Sequence, residues 1–104
     1  MGELIIPFNA WSEDKLRRGV KICTSRRQAY GVAGDTFTVV GREWLVVAVA
    51  RVPLWIILNA LYDKEGAESR SELEDEWKKI HPSFEYVKDA NSMWFVHFFK
   101  EIKE

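Results

Sequence analysis

The chain has 104 residues, nearly half of them apolar, with five Trp and six Phe. That excludes an intrinsically disordered segment and bounds the protein to one domain, residues 1–104, with one core. Fifteen Lys and Arg against sixteen Asp and Glu give a formal net charge of −1, which excludes a uniformly basic surface; any nucleic-acid contact has to come from a local patch.

Charge is unevenly spread. Residues 15 to 27 hold six of the fifteen Lys and Arg, while 63 to 76 hold seven of the sixteen Asp and Glu. Cys23 is the only cysteine, so no intrachain disulfide can form and a reducing cytoplasm is the expected location. No targeting segment and no membrane span is expected, because no apolar run approaches the required length.

In chain order, Leu4 to Phe8 reads as a short strand. Ser12 is a favourable helix N-cap, with Glu13 and Asp14 in the first turn and Trp11 and Leu16 spaced as a hydrophobic staple. Arg17 and Arg18 fall in the last turn, and Gly19 ends the helix. From Val20 the pattern alternates: Val20, Ile22 and Thr24 on one face, Lys21, Cys23 and Ser25 on the other. Lys21 and Thr24 can cooperate only if Lys21 sits on a bend after Gly19.

Tyr30-Gly31 and Gly34-Asp35 punctuate a loop, followed by a strand from Thr36 to Val40, a turn at Gly41 to Glu43 and a long strand from Trp44 to Val52. That last strand is apolar on both faces and belongs in the middle of a sheet, antiparallel to its predecessor. Pro53 suits the first position of a helix whose apolar stripe is Leu54, Ile57, Leu58, Leu61 and Tyr62, ending at Gly66. Ser69 and Glu72 form a capping box for a second helix with Leu73, Trp77 and Ile80 inward, closed by His81-Pro82. Phe84 to Val87 reads as a strand, Lys88 to Asn91 as a turn, and Met93 to Ile102 as a final strand apolar on both sides. This order describes an α+β domain with a mixed or antiparallel sheet curled into a small barrel.

The segment Gly19 to Arg27 concentrates the chemistry. Desolvating unpaired cations is costly, so this many in one short stretch mark either a solvated polar strand or an anion site. Arg17, Arg18, Arg26, Arg27 and Tyr30 suit phosphate contact and base stacking. Lys21 beside Thr24 suits acyl transfer: a threonine hydroxyl needs a base, and a lysine in a cleft can serve as one. Glu65, before the Gly66 helix stop, is a candidate proton donor because the negative end of a helix dipole disfavours its ionised form. Trp44, Trp55, Trp77 and Trp94 fall on core periodicities. His97 is expected to be a hydrogen-bonded core histidine, and Cys23, His81 and His97 lack metal-ligand spacing, so no metal and no cofactor are expected. Cys23 remains an alternative nucleophile.

Gly19-x-Lys21-x-x-Thr24-x-Arg26, Gly34-Asp35 ahead of a strand, and Glu65-Gly66 ahead of a capped helix together resemble the ASCH domain family, as do His81-Pro82 and the aromatic last strand. The resemblance spans nearly the whole chain. It implies a PUA-like β-barrel with flanking helices around a cleft, with RNA or nucleotides as ligands. Some small bacterial members are amidohydrolases that remove the acetyl group of N4-acetylcytidine with a lysine, a threonine and a glutamate. Their lysine and threonine match Lys21 and Thr24. The glutamate matches Glu65 if a one-residue shift is allowed, and Glu68 is the rival. The residue after their lysine is a small hydroxyl residue; here it is Ile22. The functional expectation is therefore a basic cleft binding RNA or a modified nucleoside. The alternatives are an N4-acetylcytidine amidohydrolase (Thr24 nucleophile, Lys21 base, Glu65 acid) and a non-catalytic protein-interaction module. A monomer is expected.

Overall fold

Two long apolar segments dominate the architecture, each with a strand on either side; in the first, Trp44 and Val46 are buried but Val47 is 45% exposed, so its second face is not covered as its apolar sequence suggests. The computed structural model describes residues 2–103. In chain order they form β1 (Glu3–Leu4), α1 (Ala10–Arg17), β2 (Cys23–Arg26), β3 (Thr36–Val39), β4 (Arg42–Pro53), α2 (Leu54–Ala60), α3 (Arg70–Ile80), α4 (Tyr86–Asp89) and β5 (Met93–Glu101). The strands make a five-stranded mixed sheet in the order β1-β3-β4-β5-β2, with β1 parallel to β3 and every other pairing antiparallel.

β4 and β5 pair from Trp44↔Glu101 to Pro53↔Met93, with a register shift between Val46 and Ala48. Such a bulge bends the strand and raises its twist. The turn before β4 is tighter than the sequence suggests. Val39 pairs with Arg42, and Val40 and Gly41 both take positive φ (50° and 71°), the geometry that matches strand twist in a two-residue hairpin.

The opposite parities of β5 feed two cores. Trp94 and Val96 pack with Cys23, Leu54, Ile57, Leu58 and Trp77 beneath α2 and α3. Phe99 packs with Leu16, Phe37, Trp44 and Val46 beneath α1. The first part of the expected stripe forms, with Leu54, Ile57 and Leu58 fully buried, but α2 stops at Ala60, well before Gly66, so Leu61 and Tyr62 lie beyond the helix. No helix among the described residues is long and apolar enough to cross a membrane.

Several sequence expectations are corrected. The first strand stops at Leu4, and Pro7, which has no N–H to give a ladder, falls inside the segment expected to be strand. Asn9, not Ser12, caps α1: its side chain accepts the Ser12 N–H at 2.8 Å. Trp11 and Leu16 do not form a staple, since they belong to different cores. Phe84 to Val87 is not a strand; both sides of β5 are already taken by β4 and β2, and the chain instead forms α4, with Asp89 accepting the Glu85 N–H at 2.9 Å. Ile80 is 55% exposed rather than inward. The described ladder ends at β1 on one side and β2 on the other, without a β1–β2 pairing among the described residues. What joins those two ends is a side chain: Arg26 Nη2 donates to the Pro7 carbonyl at 2.6 Å.

The cap assignment has a direct consequence. Asn9→Ala is expected to lower stability by about 0.5–2 kcal/mol, and Ser12→Ala by less than about 0.5 kcal/mol, read as the shift of the urea midpoint. The reverse ranking would restore Ser12 as the cap.

Candidate functional site

α1 ends in a Schellman arrangement. Gly19 takes φ 74°, its N–H bonds Leu16 O at 3.1 Å, and the Val20 N–H reaches Lys15 O at 3.1 Å. The chain then turns sharply into Lys21. The N–H groups of Ile22 and Cys23 both donate to Lys64 O, at 2.8 and 3.1 Å, which fixes the turn carrying Glu65 against the start of β2. Gly66 makes that approach sterically feasible. Its φ is 105°, and a Cβ there would lie 2.9 Å from Lys15 Cβ and 3.2 Å from Lys21 Cβ.

The result is a buried ion pair. Lys21 is 1% exposed and Glu65 4%. Lys21 Nζ donates to Glu65 Oε1 at 2.9 Å and to the Glu65 carbonyl at 3.1 Å, and Ser25 Oγ donates to Glu65 Oε2 at 2.5 Å. Two charges withdrawn from water carry a desolvation penalty of several kcal/mol each, offset only when geometry and hydrogen bonding are good, as they are here. α2 ends at Ala60, so Glu65 lies beyond the helix and the dipole reasoning from sequence does not apply to it. The charge beside it is the Lys21 ammonium.

Trp11 stands over this pair, its ring 5.9 Å from Lys21 Nζ and 5.3 Å from Lys15 Nζ. Its indole N–H donates to Glu72 Oε2 at 2.9 Å, and Lys15 binds the same oxygen at 3.0 Å. Burial works to raise the Glu72 carboxyl, but the Glu68 amide, Lys15 and Trp11 outweigh it and hold the group below its ordinary value. Glu72 thus ties α3 to α1 instead of completing the capping box by returning to the Ser69 N–H.

Thr24 is 1% exposed, and its Oγ1 accepts from Arg26 Nη1 at 2.6 Å. The same Nη1 donates to Ser25 O at 3.0 Å, and the guanidinium carbon lies 5.3 Å from the Phe8 ring centroid. Burial pushes Arg26 below the usual arginine range, with Glu65 opposing. On the cross-strand partner of Thr24, His97, Nε2 accepts the Tyr30 N–H at 3.0 Å; Nδ1 therefore carries the proton and donates to Thr24 O at 3.2 Å. Burial holds His97 below its ordinary pKa, so it is a neutral core histidine. Burial, reinforced by Glu65, pushes the Cys23 thiol far above its ordinary value, which removes it as a thiolate nucleophile.

Lys21, Thr24, Ser25 and Glu65 form the polar end of a cleft of about 500 Å³, walled by Phe8, Trp11, Trp77 and Trp94. Arg26 and Arg27 also line it. Arg27 lies 4.8 Å over the Trp94 ring and has no hydrogen bond or ion pair among the described residues. The other sequence candidates lie elsewhere. Helical spacing sets Arg17 against Glu13 (3.7 Å) and Arg18 against Asp14 (3.4 Å). Tyr30 is outside the cleft, with its ring against His97 at 6.1 Å, and Glu68 is exposed, 4.0 Å from Arg18. The basic run in the sequence is largely neutralised in the fold. No group of three or more His, Cys, Asp or Glu among the described residues could hold a metal ion.

Sequence reasoning missed Ser25, although its shared parity with Lys21 was a usable signal. It also assigned Trp77 and Trp94 wholly to packing and Trp11 to a helix staple, and placed Trp55 in the core although it is 45% exposed; no periodicity distinguishes a core aromatic from one that walls a cleft.

No family model matches the sequence, and no curated protein matches it. Among solved structures, the chain is similar to a high-resolution crystal structure of the ASCH domain from Lactobacillus crispatus, with a TM-score of 0.62 at 12% identity, over 96% of this chain and 78% of that one. That likeness is one of fold: the mixed sheet with flanking helices is ASCH-like.

The buried pair predicts a coupled response to substitution. Lys21→Met or Glu65→Leu alone is expected to cost about 3–5 kcal/mol by leaving one charge stranded, and the double variant far less than the sum. Additive losses in urea denaturation would show that the pair does not act as a unit.

Proposed function

We propose that the chain is an ASCH-type module whose cleft takes one unstacked pyrimidine base, presented by RNA or by a modified nucleoside. The observation that carries this reading is the set of unspent hydrogen-bonding groups at the polar end of an aromatic-walled cleft. An ammonium has three N–H groups, and two of Lys21's go to Glu65, leaving one. Thr24 Oγ1 accepts from Arg26 and keeps its own O–H to donate. Ser25 gives its proton to Glu65 and keeps lone pairs to accept. Two donors and one acceptor match in number the pairing edge of cytosine or uracil, each with two acceptors and one donor, and not that of guanine, with two donors and one acceptor. Trp11, Trp77 and Trp94 supply the flat apolar surfaces that unstacked bases occupy.

A second reading is supported by the placement of Thr24 in the same cleft as the Lys21–Glu65 pair. It is hydrolysis of N4-acetylcytidine: a proton first passes from the Lys21 ammonium to Glu65 across their hydrogen bond, leaving an amine and a carboxylic acid; Thr24 Oγ1 then attacks the acetyl carbonyl, Lys21 takes the hydroxyl proton, and Glu65 protonates the leaving N4. Water then releases acetate from the threonyl ester. It ranks second because Thr24 is held by Arg26, while Lys21 is turned to Glu65.

Titration of Trp fluorescence with nucleosides tests both readings. Cytidine and uridine are expected to bind and guanosine to bind at least about tenfold more weakly, with Thr24→Ala costing about 1–2 kcal/mol of affinity. Absence of binding at millimolar cytidine and uridine, or a preference for guanosine, would overturn the base reading. Acetate release from N4-acetylcytidine that disappears in Thr24→Ala would promote the hydrolase. For an oligonucleotide, few unpaired cations border the cleft, so log K is expected to fall with log salt at a slope near −0.7 per contacted phosphate, with about one contact.

A further inference from the structure

A second hollow of about 120 Å³ shares Arg27, Trp77, His81 and Trp94 with the cleft, so those four side chains form the boundary between the two. Its remaining lining includes Ser83, Asp89 and Ser92. It is much smaller than the several hundred cubic ångströms that self-sufficient ligand sites occupy, which marks it as an annex to the cleft. Resting on the base-binding reading above, we propose that this annex holds the ribose and phosphate of the nucleotide adjacent to the bound base, so that the ligand is a single RNA strand rather than a free nucleoside.

The polar inventory of the annex supports this assignment. Ser92 has no proton left to give, its Oγ donating to Asp89 O at 2.6 Å and accepting from Trp94 Nε1 at 2.9 Å. Asp89 uses Oδ2 to hold the Glu85 N–H at 2.9 Å, while Oδ1 has no partner among the described residues. The Arg27 guanidinium lies over Trp94, which covers one face; its N–H groups have no protein acceptor among the described residues and are open to solvent. His81, ringed by Trp77 at 5.5 Å and Trp94 at 5.3 Å, is kept below its ordinary pKa by burial and by Arg27, with Asp89 opposing, so it adds no charge at neutral pH.

One cation and one carboxylate oxygen therefore border a space of sugar size. A bare anion would meet Asp89, and an apolar group would cover both charges without pairing them. A ribose-phosphate satisfies them together: a phosphate oxygen accepts from Arg27, and a ribose hydroxyl donates to Asp89 Oδ1. The 2′-hydroxyl is the group that separates RNA from DNA at such a contact. Arg27 thus sits where a strand would cross from the cleft to the annex, stacked in the way arginines stack beside bases.

Isothermal titration with cytidine, the dinucleotide CpC and its deoxy counterpart dCpdC tests the assignment. CpC is expected to bind on the order of tenfold more tightly than cytidine, and dCpdC to lose most of that gain. Asp89→Ala should leave cytidine affinity unchanged and reduce CpC toward it; unchanged cytidine binding also shows that the variant is folded. Equal affinities for cytidine and CpC, or for CpC and dCpdC, would overturn the annex while leaving the base cleft standing. Failure of both cytidine and CpC to bind would remove both.

Discussion

A lysine ammonium and a glutamate carboxylate, 2.9 Å apart and shut off from solvent, hold this structure's cleft together. Neither charge could be buried alone without a penalty that few small domains tolerate. Each is delivered by a local device: the Gly19 helix stop throws Lys21 inward, and the left-handed Gly66 lets the Glu65 turn come within contact of it. Ser25 takes the second carboxylate oxygen, so the pair is a triad anchored on β2 and the turn after α2. Removing any member leaves another polar group unsatisfied in the same space.

Around that triad the fold spends its cations structurally. Lys15 bridges to Glu72, Arg26 binds Pro7, Thr24 and Ser25, and Arg42 donates to the carbonyls of Leu16 and Arg17 at the end of α1. Arg26 does more than pair. It joins the segment after β1 to β2, where the sheet's own ladder does not, and it holds the Thr24 hydroxyl in place. A sequence with a conspicuous basic run thereby yields a cleft walled by aromatic rings whose neighbouring cations are mostly engaged by the fold, the basis of the proposal of a flat heterocycle as its occupant.

The architecture was legible where periodicity was strong. The long apolar runs of β4 and β5 took positions inside the sheet, and the first turns of the α2 stripe and the Ser69 cap of α3 formed as their spacing dictates, although α2 stops at Ala60. Local signals failed where several residues competed for one role. Asn9 outranked Ser12 because the helix begins earlier than the apolar pattern shows, and Phe84 to Val87 lacked a strand to pair with, which no local window reveals. For the site, the sequence pointed to Lys21, Thr24 and Glu65, and the fold sets them in one cleft. The fates of Arg17 and Arg18 were set by helical neighbours already visible in the sequence, whereas the long-range partners of Arg26 were not. Ser25 was hidden by its ordinary appearance as a strand residue.

The most direct measurement is of the Lys21 ammonium itself. With 15N-labelled protein, the Lys21 Nζ resonance should be observable at neutral pH through slow exchange, as expected of a group hydrogen-bonded to Glu65 and sealed from water. Cytidine should shift it as the remaining N–H takes up the base. A resonance lost to rapid exchange would contradict the buried pair. One that stays unmoved while Trp fluorescence reports binding would place the ligand away from the polar end of the cleft.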